Sequence, residues 1–432
     1  MCARRTGVAA ALVALILGAV SGAQAAVVIS ETTWGTVDGE VAHGVTLAAD
    51  GSAYLTGVTV ETPTPRERIF LVRLGADGSI VWQRTWTDPD QFGNAAGNDV
   101  AVAPDGSVYV TGRSSGVLGD AVLLKFSAEG TLLWQRRWDG GDREAGEGVA
   151  VAADGSVYVV GPTASFGSHL FVLRFAADGT LLSQRIWGPG AEATDVEVGA
   201  DDGIYVSGGA QSASGASGAL ALKLDALGAV VWQTTYFAPD LADARGGLAV
   251  AADGSVAIAG SVRELSGTFD IDALVVTFDP AGNLVWDRSW GGMSGDVGKG
   301  TAFLAAGRVV LVGDTNSFGF TESDDAFVLL VSPRGRGLDS NTWGGVSLDH
   351  ADVVVVAPGG TIVMAGTTLN PPPYAFQRAA RRLSRLQGTT ETPSQAFSDA
   401  TFTVADPAGT VATPDGSTTF SGEDAALIRI AP

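Results

Sequence analysis

Residues 100–112 read VAVAPDGSVYVTG, and two close copies follow, VAVAADGSVYVVG at 149–161 and LAVAADGSVAIAG at 248–260. In each copy an apolar segment enters an Asp-Gly-Ser turn, and a second apolar segment leaves it and ends on glycine, the pattern of a β-hairpin. Glycine supplies the positive φ of the turn, and Asp and Ser support the bend by local hydrogen bonds. The sequence therefore predicts a chain built from a repeated hairpin.

A second hairpin follows the first, as in DAVLLKFSAEGTLLWQRRW at 120–138 and DALVVTFDPAGNLVWDRSW at 272–290. The turn glycines of the first hairpin recur with a nearly constant period, at Gly51, Gly106, Gly155, Gly203, Gly254, Gly307, Gly360 and Gly409. Two hairpins in each period of about fifty residues are typical of the four-stranded blade of a β-propeller. Unbroken apolar runs such as 327–331 and 353–356 agree, because each blade is covered on both faces by its neighbours.

Both chain ends contribute to the predicted closure of the ring. Residues 27–35, VVISETTWG, match the last strand of a blade, and the chain ends on a third strand at 425–430. We expect these two strands to pair and complete one blade. Counting strands in this way predicts 32 strands, or eight blades.

The repeats resemble the bacterial β-propeller repeat family called SBBP and the delta-60 type repeats over essentially the whole chain after residue 25. The resemblance lies in the DGSVYVTG hairpin, in the Asp that opens the third strand at Asp120, Asp272 and Asp325, and in the Trp-Gly-Gly ends at 290–292 and 343–345. The family name implies seven blades. We predict an all-β propeller of four-stranded antiparallel blades, eight by the strand count with seven as the alternative, in a single domain at 26–432.

The seventh repeat departs from the pattern, because residues 376–387 read FQRAARRLSRLQ instead of a regular second hairpin. Two interpretations stay open. The segment is either a degenerate outer hairpin with solvent-facing arginines, or a short basic helix that caps the ring or docks an acidic partner.

The first 25 residues predict a cleaved signal peptide. Arg4 and Arg5 precede an apolar run at 8–20 and a small-residue site, and we expect cleavage after Ala25. The single cysteine, Cys2, would leave with it, so the mature protein would be secreted, periplasmic or extracellular, without disulfides. No later apolar run is long enough to span a membrane.

The charge balance limits the partners. After removal of Arg4 and Arg5 the chain carries 24 basic and 47 acidic residues, a net charge of −23. Such a surface repels phosphate backbones and anionic lipids. We therefore expect a protein or glycan partner, no nucleic acid, and a monomer.

Few residues suggest catalysis or metal binding. The three histidines, His43, His169 and His350, have no zinc spacing, and no serine elbow or mature cysteine is present. Paired aspartates occur at 88 and 90, 270 and 272, and 324 and 325, but none extends to a calcium loop, so Ca²⁺ has weak support and no cofactor is predicted. The ten tryptophans lie on fourth strands, which indicates packing between blades more than a sugar-stacking row.

A binding site is predicted on the face that carries the long connections between hairpins and between blades, because variable loops on a rigid ring usually carry binding. Its inter-blade connections are rich in acidic residues, namely Asp38, Glu40, Asp88, Asp90, Asp99, Asp139, Asp142, Glu144, Glu147, Glu192, Asp195, Asp240, Asp243, Asp296, Asp349 and Asp352. Those expected at the channel mouth are Asp99, Glu147, Asp195, Lys299 and Asp352, with His43 and His350 nearby. The simpler alternative is that the carboxylates only keep the protein soluble.

The sequence thus favours an exported, non-enzymatic binding or scaffold propeller that uses this acidic face. The main alternative is a secreted or periplasmic propeller enzyme that acts on polysaccharide, with channel-mouth carboxylates as acid and base. A purely structural envelope module is a third hypothesis, and the fold alone does not choose among them.

Overall fold

The computed structural model of the chain describes residues 27–35, 39–61, 66–88, 94–114, 119–164, 168–212, 214–239, 241–243, 246–263, 270–319, 324–369, 374–379, 383–393, 395–399, 402–405, 407, 410–412 and 424–431. Its regular elements are β-strands and one 3₁₀ turn, Ala305–Gly307. Within these residues no helix has the length and apolarity needed to cross a bilayer. The predicted signal peptide, residues 1–25, lies outside them.

The strands form seven antiparallel sheets arranged as the blades of a propeller. From the axis outward, blade 1 contains Gly39–Leu47, Ala53–Glu61, Arg66–Leu74 and Ile80–Thr87; blade 2 Ala95–Val102, Val108–Ser114, Asp120–Phe126 and Leu132–Asp139; and blade 3 Gly148–Val151, Val157–Thr163, His169–Phe175 and Leu181–Trp187. Blade 4 contains Ala191–Val198, Ile204–Gln211, Ser217–Leu224 and Val230–Phe237; and blade 5 Leu241–Asp243 with Leu248–Val250, Val256–Arg263, Ile271–Phe278 and Leu284–Trp290. Blade 6 contains Asp296–Leu304, Arg308–Thr315, Asp325–Val331 and Gly337–Gly344; and blade 7 Asp349–Val356, Ile362–Thr368, Asp424–Ala431 and Val27–Trp34.

Apolar side chains fill the space between the blades. The buried residues form seven clusters, one at each junction between neighbouring blades, including the junction of blades 7 and 1. Each blade is thus buried on both faces, which explains the unbroken apolar runs of its strands.

The predicted closure of the ring is confirmed. Val27–Trp34 pairs with Asp424–Ala431, with Val28 opposite Ile430 and Trp34 opposite Ala425. The N-terminal strand is the outer strand of blade 7, so the two chain ends complete one sheet.

The Asp-Gly-Ser turns also have the predicted geometry. Gly106 and Gly155 have φ values of 82° and 83°. The Asp105 carboxylate accepts the N–H of Ser107 at 2.9 Å. These short turns lie at the opposite end of the inner strands from the inter-blade connections.

In five of the seven blades a β-bulge in the inner strand faces the glycine that ends the hairpin phrase. The pairing register skips one residue in blades 1, 2, 4, 6 and 7, at His43, Asn98, Thr194, Lys299 and Asp352. A Cβ atom on the facing glycine would lie 1.8 to 2.0 Å from a carbonyl oxygen of the bulged strand, at Gly57, Gly112, Gly208, Gly313 and Gly366, and likewise at Gly161 in blade 3. Only glycine fits opposite the bulge, and the phrase therefore ends on glycine.

The tryptophans pack between blades, as predicted. Six of them, Trp34, Trp86, Trp138, Trp187, Trp290 and Trp343, are each only 1% exposed. The Trp34 indole N–H donates to the Gln83 side chain of the next blade at 2.7 Å, and Trp86 donates to Gln135 at 2.8 Å. Such buried rings are unavailable for stacking on a sugar.

The described parts of residues 375–412 lie on the outside of the propeller, and we call them the belt. Six short strands of the belt each pair with the outer strand of one blade, in the order of blades 6, 5, 4, 3, 2 and 1: Ala375–Arg378, Leu383–Ser384, Thr389–Glu391, Ser398–Asp399, Thr403–Ala405 and Thr410–Ala412. The chain then enters blade 7 as its third strand. The belt covers part of the outer edge of six blades.

Side-chain amides connect the belt to the junctions between blades. The Trp138 indole donates to Gln184 Oε1 at 2.8 Å, and Gln184 Nε2 donates to the carbonyl of Phe402 at 3.2 Å. The same relay runs from Trp187 to Gln233 and on to a belt carbonyl. One glutamine thus joins a buried tryptophan of one blade, the next blade and the belt.

The belt explains why the prediction of eight blades is wrong. The expected eighth repeat around Gly409 contributes belt strands, and its last strand belongs to blade 7. Thr403–Ala405 and Thr410–Ala412 are only three residues long, with an exposed, half-buried, exposed pattern. Each of these strands has a single half-buried residue, which packs on one side of the strand. An inner strand of a blade must instead bury side chains on both sides.

Neither interpretation of residues 376–387 is confirmed. Ala375–Arg378 and Leu383–Ser384 are belt strands on the outer strands of blades 6 and 5, neither a hairpin nor a helix. Arg378 and Arg385 are exposed, and Arg381 and Arg382 lie outside the described residues. Arg378 Nη2 lies 3.5 Å from the Asp339 carboxylate of blade 6.

We predict that Gly208→Ala destabilises the protein by about 1–3 kcal/mol, because the added methyl meets the Glu192 carbonyl oxygen 1.8 Å away. The matched control is Gly209→Ala on the same strand, where a Cβ meets nothing within 4 Å. Thermal denaturation followed by circular dichroism measures both variants. Equal melting temperatures for the two would contradict the bulge constraint.

Candidate functional site

The inner strands of the seven blades enclose a central channel of about 710 Å³. Each blade contributes one lining residue from the same structural position, the bulge or its equivalent. These seven residues, which we call the bulge ring, are His43, Asn98, Glu147, Thr194, Gly246, Lys299 and Asp352. Each precedes the glycine that ends its hairpin phrase by the same number of positions in the sequence.

The side chains of the bulge ring reach toward the next blade. His43 Nδ1 lies 2.9 Å from the carbonyl oxygen of Gly97. Asn98 Nδ2 donates to the carbonyl of Gly146 and to Glu147 Oε2, both at 3.1 Å. These contacts hold the polar groups in fixed positions on the channel wall.

Three further carboxylates lie in the channel on blades 2 and 4. Asp99 accepts the N–H of Val100 at 2.7 Å and, across the junction with blade 3, that of Val149 at 2.8 Å. Asp195 accepts two backbone N–H groups in the same way, one of its own strand and one of blade 5. Glu197 Oε2 also reaches blade 5, where it accepts the N–H of Val250 at 2.8 Å. We call Asp99, Glu147, Asp195 and Glu197 the acidic arc.

Burial disfavours the charged forms of the arc. It raises the pKa of Asp195 to about 6. Burial, together with the nearby Asp195 carboxylate, raises the pKa of Glu197 to about 8. Burial and then Asp195 raise the pKa of Asp99 well above its usual range, and burial also raises that of Glu147. The four carboxylates thus hold their protons more tightly than free carboxylic acids, and part of the arc is neutral at neutral pH.

The opposite side of the channel carries an ion-pair network. Lys299 Nζ lies 2.6 Å from Asp352 and 2.5 Å from Asp314, and His350 Nδ1 lies 2.9 Å from Asp314. Burial alone would lower the pKa of Lys299, but the carboxylates of Asp352 and Asp314 outweigh it and raise that pKa to about 12. The hydrogen bond to Asp314 raises the pKa of His350.

The structure brings most of the sequence-predicted residues together. Asp99, Glu147, Asp195, Lys299, Asp352 and His43 all line the channel. His350 joins them only through Asp314. The sequence interpretation missed Asn98, Thr194 and Glu197, although the constant spacing before the phrase-ending glycine marks the first two.

The long-loop face is less acidic at its surface than expected, because several of its carboxylates turn inward. Asp296 accepts the N–H of Gly292, and Asp349 that of Gly345, each at 2.8 Å, so these side chains fasten the turn between two blades. The buried members of the predicted set are Glu40, Asp88, Glu144, Asp296 and Asp349. Asp38, Asp90, Asp240 and the Asp243 side chain lie outside the described residues.

One group of three carboxylates among the described residues has oxygens within 4.8 Å of one another: Asp120, Asp139 and Glu144. It lies at the junction of blades 2 and 3, away from the channel lining. Arg137 Nε is 3.2 Å from Asp120, and Glu144 accepts the Thr163 hydroxyl at 2.8 Å. Because the group already has these protein partners, it gives no specific support for calcium.

Comparison with known proteins supports the fold alone. No family model matches the chain, and no curated protein matches its sequence. The structure is similar to that of the polysaccharide lyase Uly1, at 9% identity and a TM-score of 0.52, over 93% of this chain and 99% of that one. The WD40 domain of Pan2 from Neurospora crassa gives 10% identity and a TM-score of 0.48, over 77% and 92%. The chain is thus an all-β propeller of seven antiparallel blades, and its resemblance to SBBP repeats stays a prediction.

We predict that stability falls as the pH rises, because Glu197 binds its proton more tightly in the folded chain. Its pKa rises from an ordinary 4.5 to about 8 on folding, so within that window the folded state carries more protons and the free energy of unfolding decreases with pH. Glu197→Gln keeps an acceptor for Val250 and should flatten the dependence of melting temperature on pH. The control is Glu129→Gln on an exposed turn, whose curve should parallel that of the wild type. Parallel curves for both variants would refute the assignment.

Proposed function

We propose that this chain is an exported, non-enzymatic β-propeller that binds a small polar ligand in its central channel through the bulge ring. One observation carries the proposal. At a single structural position the seven blades present seven different residue types: His, Asn, Glu, Thr, Gly, Lys and Asp. The position facing it is glycine in all seven phrases.

The contrast with the uniform glycine position distinguishes positions used for packing from candidate binding positions. The residue two positions after each bulge-ring member is Val in five blades, Leu in one and Thr in one, as packing between equivalent blades requires. A position with only a structural role would have similar residues in equivalent blades. The diversity of the bulge ring therefore supports recognition of an asymmetric ligand.

The channel has the size and chemistry of a ligand site. Its volume of about 710 Å³ falls within the range of about 300–1,000 Å³ that is usual for small-molecule pockets. Half-buried apolar residues such as Val151 and Val353 line the channel together with the polar groups of the ring. Such a wall buries the apolar part of a ligand while the ring fixes its orientation.

The proposal predicts that compounds binding in the channel raise the melting temperature. A panel of neutral saccharides, amino acids, amines and carboxylic acids is screened by thermal shift, and calorimetry then measures affinity. Thr194→Val should weaken binding of the compound found about two- to tenfold, the effect of losing one hydrogen bond, whereas Thr131→Val on an exposed turn should leave it unchanged. If no class binds, or if both variants behave alike, the channel is not the site.

A second candidate function is a hydrolase or lyase that acts on polysaccharide. Glu197 favours it, because a carboxylic acid with a pKa of about 8 stays protonated at neutral pH and is able to act as a general acid. Uly1, with a similar fold, is a polysaccharide lyase, which makes polysaccharides the substrates to test.

The enzyme hypothesis predicts shortened products from at least one of several neutral and acidic polysaccharides, detected by size-exclusion chromatography. Glu197→Gln should abolish this activity, and Glu129→Gln should retain it. Absence of products with every polysaccharide tested, or activity that survives in Glu197→Gln, would reject Glu197 as the acid.

A further inference from the structure

The charges that line the channel are unbalanced. Five carboxylates line it, Asp99, Glu147, Asp195, Glu197 and Asp352, whereas Lys299 is the one lysine or arginine among the described lining residues. Lys299 is already paired with Asp352 and Asp314. The acidic arc therefore has no cationic side chain of its own in the described channel wall.

Among the described residues, Glu147 and Glu197 accept hydrogen bonds at Oε2 alone. Burial raises the pKa of Glu197 to about 8, so it is protonated at neutral pH, and Glu147 is the arc carboxylate best placed to bind a cation. Asp99 and Asp195 each accept two backbone N–H groups, which directs their oxygens into the blade junctions. Among the described residues, Glu147 receives its hydrogen bond from the Asn98 side chain at Oε2. Its other oxygen stays available to a ligand in the channel.

The size and spacing of the site argue against a bare metal ion. No three carboxylates of the channel have oxygens within 4.8 Å of one another, since the one such group in the described chain is at Asp120, Asp139 and Glu144. Three arc members could therefore not bind a single ion together, although Ca²⁺ takes six to eight oxygen ligands. A larger cation, with its charge at one end and apolar atoms along the wall, fits the volume and the valine lining.

We propose that the channel ligand is an organic cation, an alkylammonium or guanidinium compound whose charged group binds Glu147 and lies against the acidic arc. This inference rests on the proposed function and specifies its ligand class. In blade 5 the channel wall is formed by the backbone of Gly246 and Gly247, without a side chain.

Proton release should accompany binding. A cation beside the arc favours the charged forms of Asp195 and Glu197, whose pKa values burial raises to about 6 and about 8 in the free protein. Affinity should therefore increase as the pH rises through this range. Asp314 and His350 lie behind Lys299, and Arg113 and Glu192 influence the pKa of Glu147 from outside the channel lining. The other charged or titratable groups that face the channel are Asp99, His43, Glu147, Lys299 and Asp352.

The test uses three compounds of equal length: the diamine putrescine, the neutral butanediol and the dianion succinate. Isothermal titration calorimetry on the full mature protein should show putrescine binding at least about tenfold more tightly than either of the others, as a charge-assisted hydrogen bond to a carboxylate implies. Binding at about pH 8 should be tighter than at about pH 6, with proton release measured from buffers of different ionisation enthalpy.

Glu147→Gln should weaken putrescine binding about tenfold or more, and Glu129→Gln should not change it. Circular dichroism establishes that both variants are folded, and the pH dependence of the wild type tests the inference without any substitution. Preference for butanediol, succinate or a saccharide from the screen would overturn the cation class and leave the channel site intact. Absence of binding by every compound class would overturn the proposed function itself.

Discussion

The clash-free contact between a β-bulge and the glycine opposite it governs the inner geometry of this propeller. The extra residue pushes a carbonyl oxygen into the volume that a Cβ would need, so the facing strand has glycine at that point. The same extra residue leaves the hydrogen-bonded ladder and lines the channel. One constraint therefore produces both the uniform hairpin phrase and the variable ring of polar groups.

Much of the candidate site was predictable from this repeat. Residues such as Lys299 and Asp352 could be placed at the channel because they lie near the start of the inner strands, and their fixed distance from the phrase-ending glycine would also have identified Asn98 and Thr194. The roles of Asp99 and Asp195 could not be predicted. Their acceptance of backbone N–H groups from a neighbouring blade depends on how closely two blades approach, which no pattern within one repeat encodes.

The prediction of the fold succeeded for segments whose strands bury both faces. It failed for the segment whose strands bury only one face. The period and the paired ends gave the propeller and its closure between Val27–Trp34 and Asp424–Ala431. The region around Gly409 kept the spacing of a repeat but had lost the apolar content of a blade. Because the prediction relied on the spacing of glycines, it assigned this region to an eighth blade. Its short strands, such as Thr410–Ala412, instead lie on the outside of the ring.

The path of the belt has a kinetic consequence. The third strand of blade 7 comes after the belt in the chain, and it pairs with the second strand of blade 7 and with Val27–Trp34 at the opposite end of the sequence. Contacts between distant segments slow folding, and this strand should be among the last to assemble. Once in place, the belt pairs with the outer strands of six of the seven blades, so that opening the ring from the C-terminus requires these strand pairs to separate. A chain with a single cysteine, which cannot form an internal disulfide, would in this way gain persistence from the order of its assembly.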